Sequence, residues 1–313
     1  MAGKFSNLAS RVAVALVAIP FIIFASYSGG LFFALFVLII AALALHEFYG
    51  LAKAKGADPQ LITGIIGLVA IHLTFFPEQF PADFGGSVMY WKLKDFAAVL
   101  FLFLTAVMLI ELFRNRGSAI LNAGSTIFGV MYVGVFLASL IGIRELFGRE
   151  IPMQFMQQFF EKTGTVPNIE TSGMVYSWGG WTIISILGSI WLCDTMAYFG
   201  GLSMGKHKLF PRVSPNKSWE GAVWGFFGAV GAMVFFQQYH LPYLQLHQAV
   251  IMGVLVGVFG QIGDLIESLL KRDAGVKDSS GLIPGHGGVF DRFDSLIYVA
   301  PMLYLYLSLV VLS

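Results

Sequence analysis

The chain has 313 residues, of which 57% are hydrophobic and 12% charged, and its net charge is +1. A soluble globular protein averages roughly 45–50% apolar and about 25% charged residues, so this composition points to a membrane protein, as does a mean hydropathy of +0.77. The near-neutral balance gives no basis for nucleic-acid binding. The one cysteine, Cys193, lies in an apolar run and excludes a disulfide framework.

The chain opens MAGKFSNLASR and turns apolar at Val12. A signal peptide starts in the same way, but the apolar stretch runs past Pro20 to about Ser26 with no small-x-small cleavage site, so it reads as a retained first span. A spanning helix needs about 20 mostly apolar residues. Nine segments meet that description: roughly 12–28, 31–51, 60–77, 96–113, 122–143, 179–200, 220–238, 247–270 and 295–313. Only Ser28-Gly29-Gly30 separates the first two, and the third is short. Glycines such as Gly225 and Gly228 suit close helix packing. The expected fold is all-α and polytopic. Residues 1–178 hold about five spans and an outer loop at 144–178; residues 179–313 hold about four spans and the loops 201–219 and 271–294.

Basic residues orient these spans. With the N-terminus inside and the C-terminus outside, 14 of the 19 Lys and Arg fall on the cytoplasmic side, and Lys92, Lys94, Arg144, Arg149 and Lys162 fall outside. Loops 201–219 and 271–294 then face the cytoplasm. The outer segment IPMQFMQQFFEK, residues 151–162, reads either as an interfacial amphipathic helix or as an ordered surface loop.

The chemistry is concentrated in two stretches. Ser268–Asp294 holds four acidic and four basic residues, a histidine and five glycines between apolar segments. Asp264 and Glu267 share one helix face at i, i+3, and Asp291 and Asp294 repeat the spacing ahead of the last span. If the two helices pack together, up to four carboxylates converge, a set that suits Mg²⁺; otherwise the acids pair with Lys271, Arg272 and Arg292 in a solvated loop. Acids within the membrane are functional by default, which favours the first reading for Asp264 and, by proximity, Asp291. Between the acid pairs, Pro284-Gly285-His286-Gly287-Gly288 can present backbone amides to an anion, with His286 in a phosphate or positioning role at most.

In the second stretch, Asp194 ends an apolar run. Gly200–Lys206 fits the P-loop spacing, but His207 replaces the required Ser or Thr and no strand precedes it, so a P-loop is rejected. What is left is a basic turn at Lys206, Lys208 and Arg212, then Ser214-Pro-Asn-Lys-Ser-Trp-Glu-Gly221. Ser218 is placed to cap the seventh span, where it and Lys217 would meet an anion. Asn216-Lys217-Ser218 has the form of a glycosylation acceptor, which is ignored on the cytoplasmic side.

Ser268-x-x-Lys271-Arg272-x4-Lys277-Asp278, followed by His286-Gly287-Gly288-x-x-Asp291-Arg292-x-Asp294, resembles the signature of the phosphatidate cytidylyltransferases, the CDP-diacylglycerol synthases. Ser214–Gly221 is similar to the family's second motif, departing at Asn216 and Ser218, where Lys and Thr are more usual. The resemblance runs from about Ser185 to the end. The N-terminal half agrees only in being polytopic, and the 144–178 loop is long for the family. The resemblance implies a nucleotidyltransferase of the bacterial inner membrane that converts CTP and phosphatidate to CDP-diacylglycerol and pyrophosphate. It further implies Mg²⁺, with a second metal or a monovalent cation and a homodimer as further expectations. Asp264 and Asp291 are assigned to the metal, with Asp294 and Asp194 beside them. Lys217, Lys271, Arg272, Lys277 and Arg292 are assigned to phosphates, and Ser214, Asn216, Ser218, Ser268, His286, Gly287 and Gly288 to substrate binding. The competing readings are another CTP-dependent membrane enzyme, such as a polyprenol kinase, and an ion-coupled transporter using Asp194, Asp264 and Glu267.

Overall fold

The computed structural model of the chain describes residues 2–76, 88–148, 159–161, 164, 169–283, 285 and 287–312. The helices are α1 (Ala2–Ser28), α2 (Gly30–Ala54), α3 (Leu61–Phe75), α4 (Val88–Arg114), α5 (Ala119–Gly129), α6 (Phe136–Glu145), α7 (Ile169–Met204), α8 (Trp219–His240), α9 (Leu246–Asp273) and α10 (Phe290–Tyr306). A π-helical turn, Val130–Val135, joins α5 to α6, and another, Leu307–Val311, extends α10.

Among the described residues, seven helical runs are long and apolar enough to cross a membrane: Gly30–Ala54, Lys94–Arg114, Ala119–Glu145, Ser172–Met204, Trp219–His240, Leu246–Asp273 and Phe290–Val311. Val14–Ser28 and Leu61–Phe75 are shorter apolar helices and coincide with the first and third expected spans. The protein is an all-α polytopic integral membrane protein, as it must be where backbone groups find no water in lipid. The expected division at 178/179 falls inside α7, which begins at Ile169. Of the outer segment 151–162, residues 151–158 and 162 lie outside the described residues, as does His286.

The described contacts sort the chain into two units that interleave in sequence. The first comprises Met1–Ile22, Leu31–Gly142 and Leu270–Phe293, and the second Ile23–Gly30, Ile143–Leu269 and Asp294–Ser313. In the first unit, polar groups tie the helix ends together. Glu111 accepts from Gln60 Nε2 at 2.8 Å and from Asn122 Nδ2 at 2.7 Å, Arg114 pairs with Asp58 at 2.6 Å, and the Tyr49 hydroxyl donates to the Thr126 carbonyl.

In the second unit, small residues let helices meet. A Cβ on Gly225 would lie 2.8 Å from the Cys193 carbonyl oxygen, and one on Gly257 would lie 3.1 Å from the Phe226 Cα, so α8 packs closely on α7 and α9. Arg144, placed by sequence at the start of the outer loop, lies in the last turn of α6 and is fully buried in this unit. Its guanidinium donates to the carbonyls of Ser26 at 2.7 Å, Tyr27 at 2.8 Å and Tyr176 at 3.3 Å, and lies 4.2 Å from the Tyr176 ring centre. It satisfies carbonyls that α1 leaves open where the chain breaks at Gly29, whose φ is +66°. Glu145 beside it accepts from the Gly30 amide at 2.7 Å.

A second departure from the sequence reading lies at 208–218. The expected basic turn at Lys206, Lys208 and Arg212 and the motif that follows it form a hairpin of strands β1 (Lys208–Phe210) and β2 (Ser214–Ser218), paired antiparallel with Lys208 opposite Ser218.

Candidate active site

In the second unit, Asp264 and Glu267 stand one turn apart on α9. A Cβ on Gly263 would come within 2.7 Å of the Asp294 carbonyl oxygen, so this glycine lets α10 approach α9 at the level of the acids. As a result Asp264, Glu267 and Asp294 each offer a carboxylate oxygen, all within 4.8 Å of one another. Three carboxylates so close repel one another, and hard oxygen donors at this separation form a set a divalent cation can bridge. Glu267 is buried; Asp264 and Asp294 are half-buried. Asp194, exposed on α7, lies within electrostatic reach of Asp294.

The hairpin brings Lys217 to this group. Its ammonium forms an ion pair with Asp264 Oδ2, and both side chains are partly exposed. Two features fix the hairpin. Ser218 caps α8, its hydroxyl accepting from the Gly221 amide at 3.2 Å. Glu220 accepts from the Lys206 and His207 amides and pairs with His207 Nδ1 at 2.6 Å. Ser268 donates to Asp264 Oδ1 at 3.5 Å. Ser214 pairs with Phe210 in the hairpin, while Asn216 is exposed.

In the first unit, Asp291 has a different environment. It sits in the first turn of α10 and is buried. Its Oδ2 accepts from the Gly288 amide at 2.7 Å and the Ser279 amide at 3.0 Å, and its Oδ1 accepts from Lys271 Nζ at 2.8 Å. Gly287 has φ +82°, and a Cβ there would lie 2.6 Å from Asp291 Oδ2, so glycine is required on both counts. Of the amides read by sequence as an anion cradle, that of Gly288 donates to the protein's own Asp291. Arg272 donates to the Val276 carbonyl at 3.1 Å, and Lys277 and Arg292 are exposed. The described contacts thus divide the four expected acids, joining Asp264, Glu267 and Asp294 and giving Asp291 to Lys271 and the glycine loop.

One residue of this loop's surroundings escaped the sequence reading. Glu47 of α2 is buried and accepts from Ser279, Ser280, Val289 and Phe290. An acid inside an apolar span was the available signal.

A sequence profile of the Cytidylyltransferase family matches residues 9–310. The chain is 30% identical to a phosphatidate cytidylyltransferase of Bacillus subtilis strain 168 over 306 residues, covering 97% of this chain and 98% of the relative. It is 32% identical to one of Staphylococcus epidermidis over 297 residues, covering 94% and 96%, and 34% identical to one of Staphylococcus aureus strain COL over 280 residues, covering 88% and 89%. The acid–lysine group, the glycine loop and this end-to-end similarity point the same way: the chain belongs to the cytidylyltransferase family.

Proposed function

We propose that the protein is a phosphatidate cytidylyltransferase, converting CTP and phosphatidate to CDP-diacylglycerol and pyrophosphate. The observation that carries this is the carboxylate group with Lys217 on it, in a membrane protein similar along its length to phosphatidate cytidylyltransferases. A phosphatidate oxygen attacks the α-phosphorus of CTP, the bond from that phosphorus to the α–β bridging oxygen breaks, and pyrophosphate leaves. The attacking phosphate is already an anion and needs no strong base, so catalysis is positioning and charge neutralisation. The N-terminus-inside orientation gives the soluble nucleotide access from the cytoplasm.

In this proposal Asp264, Glu267 and Asp294 hold Mg²⁺, with Asp194 adding negative charge nearby. The ion when bound would neutralise developing phosphate charge. Lys217 turns its ammonium from Asp264 to a phosphate oxygen. Asp291, expected as a metal ligand, here orients Lys271 and the loop. Lys277, Arg272 and Arg292 bind phosphate oxygens, and substrate binding by His286, Gly287 and Gly288 belongs to the same proposal. Assembly as a homodimer belongs to the same proposal, and a measured mass of one chain for the solubilised enzyme would overturn it.

Purified protein incubated with phosphatidate and CTP labelled at the α- or γ-phosphate tests the reaction. The α label is expected in the lipid and the γ label in pyrophosphate. Label from the γ position in the lipid would establish a kinase instead.

A further inference from the structure

Glu47 lies near the end of an apolar helix, buried to 5% exposure. Its two oxygens take four donors: Ser279 Oγ at 2.9 Å, Ser280 Oγ at 2.6 Å, the Val289 amide at 3.0 Å and the Phe290 amide at 2.8 Å. Four donors on two oxygens suit an acceptor-only carboxylate, and two of them are the first amide of α10, that of Phe290, and the Val289 amide just ahead of it, where a helix favours negative charge. The partners come from both ends of the loop, so this one side chain closes it. Gly288 is cut to the same fit: a Cβ there would collide with Glu47 Oε2 and Ser279 Oγ. The next residue of α2, Phe48, packs edge-on against Phe290 at 6.3 Å between ring centres.

The loop closed in this way carries Lys277 and Asp278 just before the clamp and leads into Asp291 and Arg292 just after it. An apolar residue on α2 would supply packing at less cost than a buried acid. We propose that Glu47 is a positioning residue that holds the 278–290 loop in the shape the transfer reaction requires, acting through the loop without touching substrate. The proposal rests on the cytidylyltransferase reading above.

The test uses the full-length enzyme in lipid–detergent micelles. Glu47→Gln keeps the size of the side chain but replaces one acceptor oxygen with a donor. It is expected to lower kcat for CDP-diacylglycerol formation about 100-fold, the scale of an ångström-level misplacement, while KM for phosphatidate stays within about twofold. Glu47→Asp, which restores the carboxylate, is expected to recover about tenfold of that loss. Amides in 278–290 are expected to exchange about tenfold faster in Glu47→Gln, with those of α8 unchanged. Wild-type kcat in Glu47→Gln, or faster exchange spread evenly over the protein, overturns the proposal. Should that variant fail to fold, the Ser279→Ala, Ser280→Ala pair removes two of the four donors and must show the same kcat-selective loss at about tenfold. A wild-type chain that makes no CDP-diacylglycerol sinks the proposed function, and the exchange comparison then decides the clamp by itself.

Discussion

Asp291 and the group around Asp264 are both acidic, yet they are built to opposite plans. Asp291 is saturated by its own chain, with two backbone amides and a lysine on its oxygens, and the loop it organises shares the pattern through Glu47. The Asp264 group sets three carboxylates within 4.8 Å of one another, and Lys217 pairs with Asp264 among them. An acid satisfied from within contributes stability, because removing it takes an acceptor from buried backbone donors and breaks an ion pair. Acids crowded together oppose folding until a cation joins them. Carboxylates in one sequence motif can therefore be divided into those that build the site and those that work in it.

That distinction can be broken in several ways. The largest effect is expected from Asp264→Asn, which should reduce CDP-diacylglycerol formation about 1000-fold, with no recovery in excess Mg²⁺. Its thermal unfolding midpoint in detergent should be no lower than that of wild type, since a repulsive charge is lost. A clear drop in midpoint would place Asp264 with the structural acids. Lys217→Met should lose about 100-fold of turnover, measured by initial rates at saturating phosphatidate. Asp291→Asn should nearly abolish CTP-dependent turnover too, but unlike Asp264→Asn it should cost about 3 kcal/mol of stability in denaturant titrations, because the buried Asp291 carboxylate loses its ion pair with half-buried Lys271. Unchanged stability would remove the contrast. Gly288→Ala should destabilise by about 1–3 kcal/mol through the clash with Ser279 and Glu47. The smallest effect belongs to the exposed Lys55–Asp273 pair of the first unit, where Lys55→Ala should shift stability by less than about 0.5 kcal/mol.

Much of the architecture was legible because lipid imposes a length of apolar chain that composition exposes directly. The break at Gly29 and the cap at Ser218 were legible too, since a positive φ and an exposed helix amide each demand particular residue types. The hairpin was not. Lys208–Ser218 shows no alternation of apolar and polar residues, and its pairing is fixed by Glu220 gripping the Lys206 and His207 amides. The separation of Asp291 from Asp294 was hidden as well, because i, i+3 spacing puts both on one helix face. The helix begins at Phe290, so Asp291 lies in the first turn and folds back on the Gly288 amide, while Asp294 sits one turn further in. An acid inside an apolar span marks Glu47 itself, but its role was out of reach because its partners are 232 to 243 residues away in the chain.

The buried Arg144 has a consequence for how the protein is made. Its guanidinium docks on carbonyls 118 and 117 residues earlier in the sequence, at the end of α1. Synthesis runs from the N-terminus, so those acceptors exist before the arginine leaves the ribosome. A cation of this kind is tolerated in the membrane only with partners at hand. The end of α1 thus serves as a receptor for a charge that arrives later, which gives this contact a direction in synthesis: acceptor first, cation second.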